Sequence, residues 1–220
     1  MTRFSTAFLP VTAQQLRLAA AKLLIVCGAL TLTAWPALAS DARELSSEEE
    51  ADLRAGKLVT RPIEKMSYGR QLIGGMAWQM IDANVETVYA ALTDVHAYVK
   101  YLPAAEDVRE VAPGPPPILF VQHRLGLIRA GYYVRTLPDP SRHSLRIQLD
   151  RSRPASIRDA WAELRVYPYG NHRSVVSLIV MADLGDSLVI RLIRSNIHTW
   201  MLRVPQLLKR HVESTAAAKP

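Results

Sequence analysis

Residues 72–94 decide the fold, and they read LIGGMAWQMIDANVETVYAALTD. The first ten of them, 72–81, are apolar with partial alternation, which predicts a β-strand. Gly74 and Gly75 within this strand predict a bulge or a close approach by a neighbouring backbone. Asn84 precedes apolar residues at helical spacing, so it is the expected N-cap of a helix. The stretch therefore predicts a strand that leads directly into a helix.

A run of strands follows, with helices on both sides of it. Asp94 is expected to start a second short helix, which Pro103 ends. Turns rich in proline and glycine then separate alternating segments, which predicts about six strands joined by hairpins. These segments are 107–111, 118–124, 130–137, 145–149, 160–166 and 175–181. One strand, two short helices, a run of strands and a final helix make an α+β layout.

A long amphipathic helix is predicted at the end of the chain, from Asp186 or Ser187 to about Glu213. Its apolar arc contains Val189, Ile193, Ile197, Trp200, Val204 and Leu208. Pro205 should kink this helix near Met201 or Leu202, because proline lacks an N–H and crowds the preceding turn. One long apolar stripe needs a curved sheet to lie against.

Residues 1–39 have the pattern of a secretory signal peptide. A basic start precedes an apolar stretch from Leu23, and the small residues Ala37 and Ala39 stand before the expected cleavage site. Cleavage would place the mature protein in the periplasm or outside the cell. The alternative is an uncleaved membrane anchor over residues 23–40, at the short limit for a spanning helix.

Cleavage changes the charge of the 220-residue chain. The whole chain has a formal net charge of +7 and a single cysteine. Three basic residues and Cys27 lie within the signal, so the mature chain carries +4 and no cysteine. This small excess on an exported protein argues against nucleic acid as a partner. No disulfide or cysteine nucleophile is left in the mature chain.

A leader segment, residues 40–70, is expected between the signal and the strand-rich region. Within it, residues 46–50 are two serines followed by three glutamates, which predicts a short acidic helix with a hydroxyl cap. The domain itself is expected over residues 71–213, and residues 214–220 as a disordered tail.

Several segments resemble the START/Bet v 1-like (SRPBCC) superfamily, in particular its coenzyme Q-binding and polyketide cyclase branch. Residues 81–94 resemble the end of that branch's first strand and its first helix, and residues 95–103 resemble its second helix, which ends in a proline. Residues 159–168 resemble a strand in which an acidic residue is followed five residues on by a bulky one, here Leu164. The resemblance covers about residues 71–213.

The resemblance implies the helix-grip fold, an α+β fold in which a curved antiparallel sheet wraps around a long C-terminal helix. Two short helices follow its first strand. It also implies a cavity between sheet and helix for a hydrophobic ligand, such as a lipid or an isoprenoid, without a cofactor. The expected ligand-binding residues are Trp78, Tyr98, Tyr101, Tyr133, Leu164, Met181, Ile197 and Trp200. Aromatic side chains combine apolar area with a polar group, which suits an amphipathic ligand.

The sequence favours a noncatalytic carrier or chaperone, because it contains no nucleophile elbow, glycine-rich phosphate loop or histidine metal spacing. Asp159 and Glu163 share one face of a strand, but Arg158 and Arg165 lie beside them, so surface ion pairs are expected rather than an acid–base pair. The alternative function is a cyclase or aromatase that acts on a hydrophobic substrate in the same cavity, which requires a polar group facing it. Transient contact of the basic amphipathic helix with a membrane surface is a further alternative.

We expect the mature protein to begin at Ser40. Intact-mass measurement of the protein from the periplasm or medium should give the mass of residues 40–220. Ala39→Leu should block cleavage, because a bulky side chain does not fit the small-residue position of the peptidase, whereas Ala37→Ser should be processed. A wild-type chain that stays full length in the membrane would contradict this and support the anchor.

Overall fold

The computed structural model describes residues 44–67, 69–126, 128–185 and 197–217. The predicted signal peptide, residues 1–39, lies outside the described residues, as does the predicted first part of the last helix, residues 186–196. Within the described ranges, no helix is long and apolar enough to cross a membrane.

The helices lie before, within and after the run of strands, as predicted. They are α1 (Ser47–Arg54), α2 (Val85–Thr93), a 3₁₀ turn (Val95–Ala97), α3 (Tyr98–Tyr101) and α4 (Val204–Ala217). Residues 197–201 are also helical. The Asn84 side chain caps α2 by accepting a hydrogen bond from the Thr87 N–H. Leu202 and Arg203 interrupt the helix just before α4, which confirms the break predicted from Pro205.

Eight strands of the described chain form one antiparallel sheet in the order β1-β2-β8-β7-β6-β5-β4-β3. They are β1 (Val59–Ser67), β2 (Arg70–Ile81), β3 (Ala105–Ala112), β4 (Ile118–Leu125), β5 (Ile128–Asp139), β6 (Ser144–Leu149), β7 (Asp159–Tyr169) and β8 (Arg173–Asp183). Strands β3 to β8 pair in sequence order, and β8 then pairs with β2. The curved sheet with its C-terminal helix is the predicted α+β, helix-grip arrangement.

Strand β1 is missing from the sequence-based prediction, which assigns its residues to the leader segment 40–70. It pairs with β2 along its whole length, from Val59 opposite Trp78 to Ser67 opposite Arg70. It is an edge strand that contains Pro62 and several charged side chains. Such residues protect sheet edges from unwanted pairing, and they also hide the alternation by which a strand is recognised.

Strand β2 lies so close to both neighbours that two of its glycines have no room for a side chain. A Cβ on Gly74 would lie 1.9 Å from the carbonyl oxygen of Val180 in β8. A Cβ on Gly75 would lie 2.3 Å from the carbonyl oxygen of Arg61 in β1. Both contacts are with backbone atoms of paired strands, which cannot shift independently. The close approach predicted at these glycines is therefore confirmed.

Helix α4 packs on one face of the sheet, which we call the concave face. Leu208 and Val212 of α4 are 0% and 3% exposed, and they share one core with Ala77 and Ile81 of β2. Burying apolar area at roughly 25 cal/mol per Å² makes such a helix-to-sheet contact the main stabilising term of a domain of this kind. In the described part of the last helix, Leu208 of the predicted apolar stripe thus packs on the sheet, as expected.

Two polar contacts fix the position of α4 along β2. Lys209 Nζ donates to the carbonyl oxygen of Met80 at 3.1 Å. Glu213 Oε1 accepts from the backbone N–H of Asp82 at 3.0 Å. The helix then continues to Ala217, so residues 214–217 extend it and are not part of a disordered tail.

Strand register assigns each side chain to one face of the sheet. Ala77 is opposite Leu178, Leu178 is opposite Leu164, and Leu164 is opposite Leu145. All four are buried in the core that contains α4. Because side chains alternate along a strand, their chain neighbours, such as Trp78, belong to the opposite face, which we call the convex face.

Helix α1 packs on the convex face. Ser46 and Glu49 form a capping box at its start, which confirms the predicted acidic helix. Glu49 also accepts hydrogen bonds from Arg61 of β1, whose guanidinium lies 5.2 Å from the ring centroid of Trp78. The bonds from Arg61 and from the Ser46 N–H lower the pKa of Glu49 to about 2. This contact holds α1 against β1 and β2, together with the buried Leu53.

The close approach at β2 predicts that two glycine substitutions differ strongly in their effect on the free energy of unfolding. Gly74→Ala should destabilise the protein by about 3 kcal/mol, because the added methyl group meets fixed backbone. Gly131→Ala is the control, because its Cβ would lie 3.2 Å from ring atoms of Phe120, a side chain that can shift, and it should cost below about 1 kcal/mol. Urea unfolding measures both, and equal unfolding midpoints would contradict the register between β2 and β8.

Candidate functional site

Four apolar side chains remain partly exposed although they face the helices. They are Tyr132, Ile147, Ala162 and Val180, which we call the concave patch. Val180 is opposite Ala162, and Ala162 is opposite Ile147, so three of them form a row across β8, β7 and β6. In the neighbouring row of the same face, Leu164 is only 3% exposed. The described helices therefore bury one row almost completely, while the next row keeps partial exposure.

A histidine and a tyrosine meet on the same face of the sheet, where β4 pairs with β5. Val121 of β4 is opposite Tyr132 of β5, and His123 is opposite Ala130, so both polar residues lie on the concave face. His123 Nε2 lies 2.6 Å from Tyr132 Oη, and His123 Nδ1 lies 2.8 Å from the carbonyl oxygen of Pro103. A carbonyl oxygen only accepts, so Nδ1 carries the proton. Nε2 is then the acceptor, and the Tyr132 hydroxyl donates to it.

Burial keeps both members of this pair uncharged. It lowers the pKa of His123 below the usual value of 6.5, and the bond to Pro103 opposes this effect without cancelling it. Burial also raises the pKa of Tyr132. At neutral pH the pair is thus a neutral imidazole and a neutral phenol. The phenol oxygen keeps an acceptor site that its bond to His123 does not use.

The end of α3 holds the Pro103 carbonyl in place. Ala104, the next residue, has φ 53°, a left-handed conformation that alanine adopts at a cost of roughly 1 kcal/mol. Its carbonyl oxygen accepts from the Arg124 N–H of β4 at 2.9 Å. This turn ties the end of α3 to β4, and so it fixes the Pro103 carbonyl beside His123.

Three of the predicted ligand-binding residues lie together in the core. Tyr98, Tyr101 and Leu164 are 2–3% exposed and belong to one cluster. The rings of Tyr98 and Tyr101 are 5.4 Å apart between centroids, and the Tyr101 hydroxyl donates to the carbonyl oxygen of Leu92 at 3.0 Å. These side chains form the packed part of the concave face, next to the accessible patch.

Three other predicted residues, Trp78, Tyr133 and Met181, lie on the convex face, and a ligand-binding role for them stays a prediction. Trp78 lies beneath α1, and the Tyr133 ring lies 5.2 Å from the Arg153 guanidinium. Met181 neighbours Val180 along the chain, so strand alternation points it away from the patch. At the adjacent positions 132 and 133, it is Tyr132 that faces the helices.

The last two predicted residues, Ile197 and Trp200, belong to the helical residues 197–201. Ile197 is 8% exposed and Trp200 is partly exposed. Between them, His198 Nε2 lies 3.5 Å from Glu64 Oε1 of β1, which places this segment near the β1–β2 edge of the sheet. A ligand-binding role for Ile197 and Trp200 stays a prediction.

The two carboxylates on β7 belong to the convex face. Glu163 forms an ion pair with Arg165, as expected, but it is buried at 8% exposure instead of solvated. Asp159 forms an ion pair with Arg151. Both carboxylates therefore point away from the concave patch.

The predicted ligand-binding residues include Tyr133 but neither Tyr132 nor His123. A signal for both was present, because Leu119, Val121 and His123 alternate along β4. A tight hairpin between β4 and β5 pairs Val121 with Tyr132 and therefore brings His123 beside it. Predicting this pair requires the exact register of the hairpin, because alternation alone does not show which residues of β4 and β5 lie next to each other.

Comparison with known proteins shows a similarity in fold. No protein-family model and no curated protein sequence matches the chain. A structure from Thermus thermophilus superposes with a TM-score of 0.55 at 18% identity, covering 66% of this chain and 98% of its own. A START superfamily protein from Mycobacterium smegmatis gives 0.50 at 12% identity, covering 72% and 98%. A STAR-related lipid transfer protein from Xanthomonas axonopodis gives 0.50 at 11% identity, covering 70% and 98%.

These likenesses show that the chain has the START/Bet v 1-like (SRPBCC) fold, as the sequence resemblance implied. Sequence identities of 11–18% support a shared fold and do not extend to a shared function.

The hydrogen bonds of His123 predict its tautomer and its titration. Nuclear magnetic resonance of ¹⁵N-labelled protein should show a neutral ring protonated at Nδ1, with a pKa below 6.5. Because the folded-state pKa is lowered, this residue's contribution to stability is complete above pH 6.5 and is lost as the pH falls below that value. His123→Asn should weaken the loss of stability at acidic pH. A ring protonated at Nε2, or a pKa above 6.5, would contradict the arrangement.

Proposed function

We propose that this protein binds a hydrophobic small molecule, lipid-like or isoprenoid-like, between the sheet and the C-terminal helix. We further propose that it acts as a noncatalytic carrier or chaperone outside the cytoplasm. The observation that carries the proposal is the concave patch, where apolar side chains face the interior and still have accessible surface.

The energetics of such a patch favour an apolar occupant. Apolar surface that faces a core but stays accessible is unfavourable in water, and each Å² that a ligand covers contributes roughly 25 cal/mol. Pockets for small molecules combine mostly apolar walls with a few placed polar groups. The patch has this composition, with the His123–Tyr132 pair as its polar group.

The fold and the sequence support two parts of the proposal. One protein of the same fold is described as a STAR-related lipid transfer protein, which supports a lipid-like ligand for this chain. The signal-peptide pattern of residues 1–39 supports export, and so a role in carrying an apolar molecule through an aqueous compartment.

Filling the patch should weaken the binding of an apolar probe. Val180→Trp places a large side chain on the concave face, and it should weaken binding of N-phenyl-1-naphthylamine by about tenfold or more. Ile179→Trp is the matched control, because this adjacent residue of the same strand belongs to the convex face and is also partly exposed. It should leave the affinity unchanged. Probe fluorescence measures both.

Circular dichroism confirms that each variant is folded, since overpacking costs typically 1–3 kcal/mol. The smaller substitution Ala162→Phe offers a second test of the same patch. The proposal is wrong if the folded wild-type protein does not bind the probe, or if Ile179→Trp reduces binding as much as Val180→Trp does.

A cyclase- or aromatase-type enzyme is the second candidate, and the His123–Tyr132 pair is the observation that favours it. Two titratable groups joined by a 2.6 Å hydrogen bond can pass a proton to or from a bound molecule. Incubating the protein with a hydrophobic extract of its own host would distinguish the two functions. Under the enzyme hypothesis, compounds change mass and Tyr132→Phe abolishes the change; under the carrier hypothesis, compounds are bound and recovered unaltered.

A further inference from the structure

The Tyr132 hydroxyl has a fixed direction of hydrogen bonding. His123 Nδ1 donates to the Pro103 carbonyl, so Nε2 has no proton and acts only as an acceptor. The single proton of the Tyr132 hydroxyl is therefore directed at Nε2, at 2.6 Å. What Tyr132 still offers to a neighbouring molecule is an oxygen lone pair.

That oxygen stands beside an apolar surface. Tyr132 belongs to the concave patch, and its ring packs against the same core as Ile147 and Val180. His123 and Tyr132 both keep partial exposure, and strand register places both side chains on the concave face. A molecule lying on the patch would place one end next to a hydrogen-bond acceptor in apolar surroundings.

We propose that the His123–Tyr132 pair selects hydrophobic ligands that carry a hydroxyl group, an alcohol or a phenol, over ligands that carry only a carbonyl or an ether. A hydroxyl can donate to the Tyr132 oxygen, whereas a carbonyl or ether oxygen would face another acceptor without a proton between them. An unsatisfied polar group in apolar surroundings is costly. This inference rests on the proposed function, because it concerns the ligand of the same surface.

The backbone around the pair fixes this preference. The left-handed turn at Ala104 and the bond from the Arg124 N–H hold the Pro103 carbonyl in place, and that carbonyl sets the tautomer of His123. The tautomer in turn sets the direction of the Tyr132 hydroxyl. His123 is therefore a positioning residue, and Tyr132 is the residue expected to contact the ligand.

Three probes of similar size separate the hydrogen-bonding classes: 2-naphthol, 2-methoxynaphthalene and 2-acetylnaphthalene. Isothermal titration calorimetry should show that wild-type protein binds 2-naphthol about fivefold or more tightly than either other probe, the ratio expected for one hydrogen bond. An apolar surface without an acceptor would give the opposite order, because the naphthol loses more hydrogen bonds to water.

Two variants identify the residues responsible. Tyr132→Phe removes the acceptor, so 2-naphthol should lose its advantage over the ether. His123→Leu frees the Tyr132 hydroxyl to donate, so 2-acetylnaphthalene should gain affinity relative to 2-naphthol. Tyr133→Phe is the matched control on the convex face, and it should keep the wild-type order.

The outcomes separate this inference from the proposed function. If all three probes bind wild-type protein with equal affinity, or if Tyr132→Phe keeps the preference for 2-naphthol, the inference is wrong and the apolar site stands. If none of the probes binds, both are wrong. The comparison in wild-type protein tests the inference even where a variant does not fold.

Discussion

The burial of helix α4 against strand β2 is the contact on which the rest of the structure depends. A curved sheet has an apolar concave face that must be covered, and Leu208 and Val212 of α4 cover part of it. Lys209 and Glu213 bind backbone groups at the end of β2, so the helix cannot slide along the strand. The tight pairing of β2 with both of its neighbours provides a firm surface for this contact.

Among the described residues, part of the same face stays partly exposed, and that part is the candidate site. The helices bury the row of the sheet that contains Leu164, while the next row, with Ile147, Ala162 and Val180, stays partly accessible. A histidine–tyrosine pair with a fixed hydrogen-bond direction lies on the same face of the sheet, on β4 and β5. The concave face thus offers both exposed apolar side chains and a polar pair.

The sequence predicts those features that depend on local physics. The N-cap at Asn84, the helix break before Pro205 and the close approach at Gly74 each follow from the chemistry of one residue, and all three are confirmed. Strand β1 was missed because an edge strand with charged residues and proline has no clear alternation. The choice of Tyr133 over Tyr132 shows a different limit: alternation separates two faces of a strand, but it does not say which face a helix will cover.

Mass spectrometry of compounds extracted from gently purified mature protein would identify the ligand of the concave face. We expect one hydrophobic compound in near-stoichiometric amount, carrying a hydroxyl group, that is retained by Ile179→Trp and absent from Val180→Trp. A wild-type protein that carries no such compound, and whose concave patch takes up none from a hydrophobic extract of its host, would contradict it.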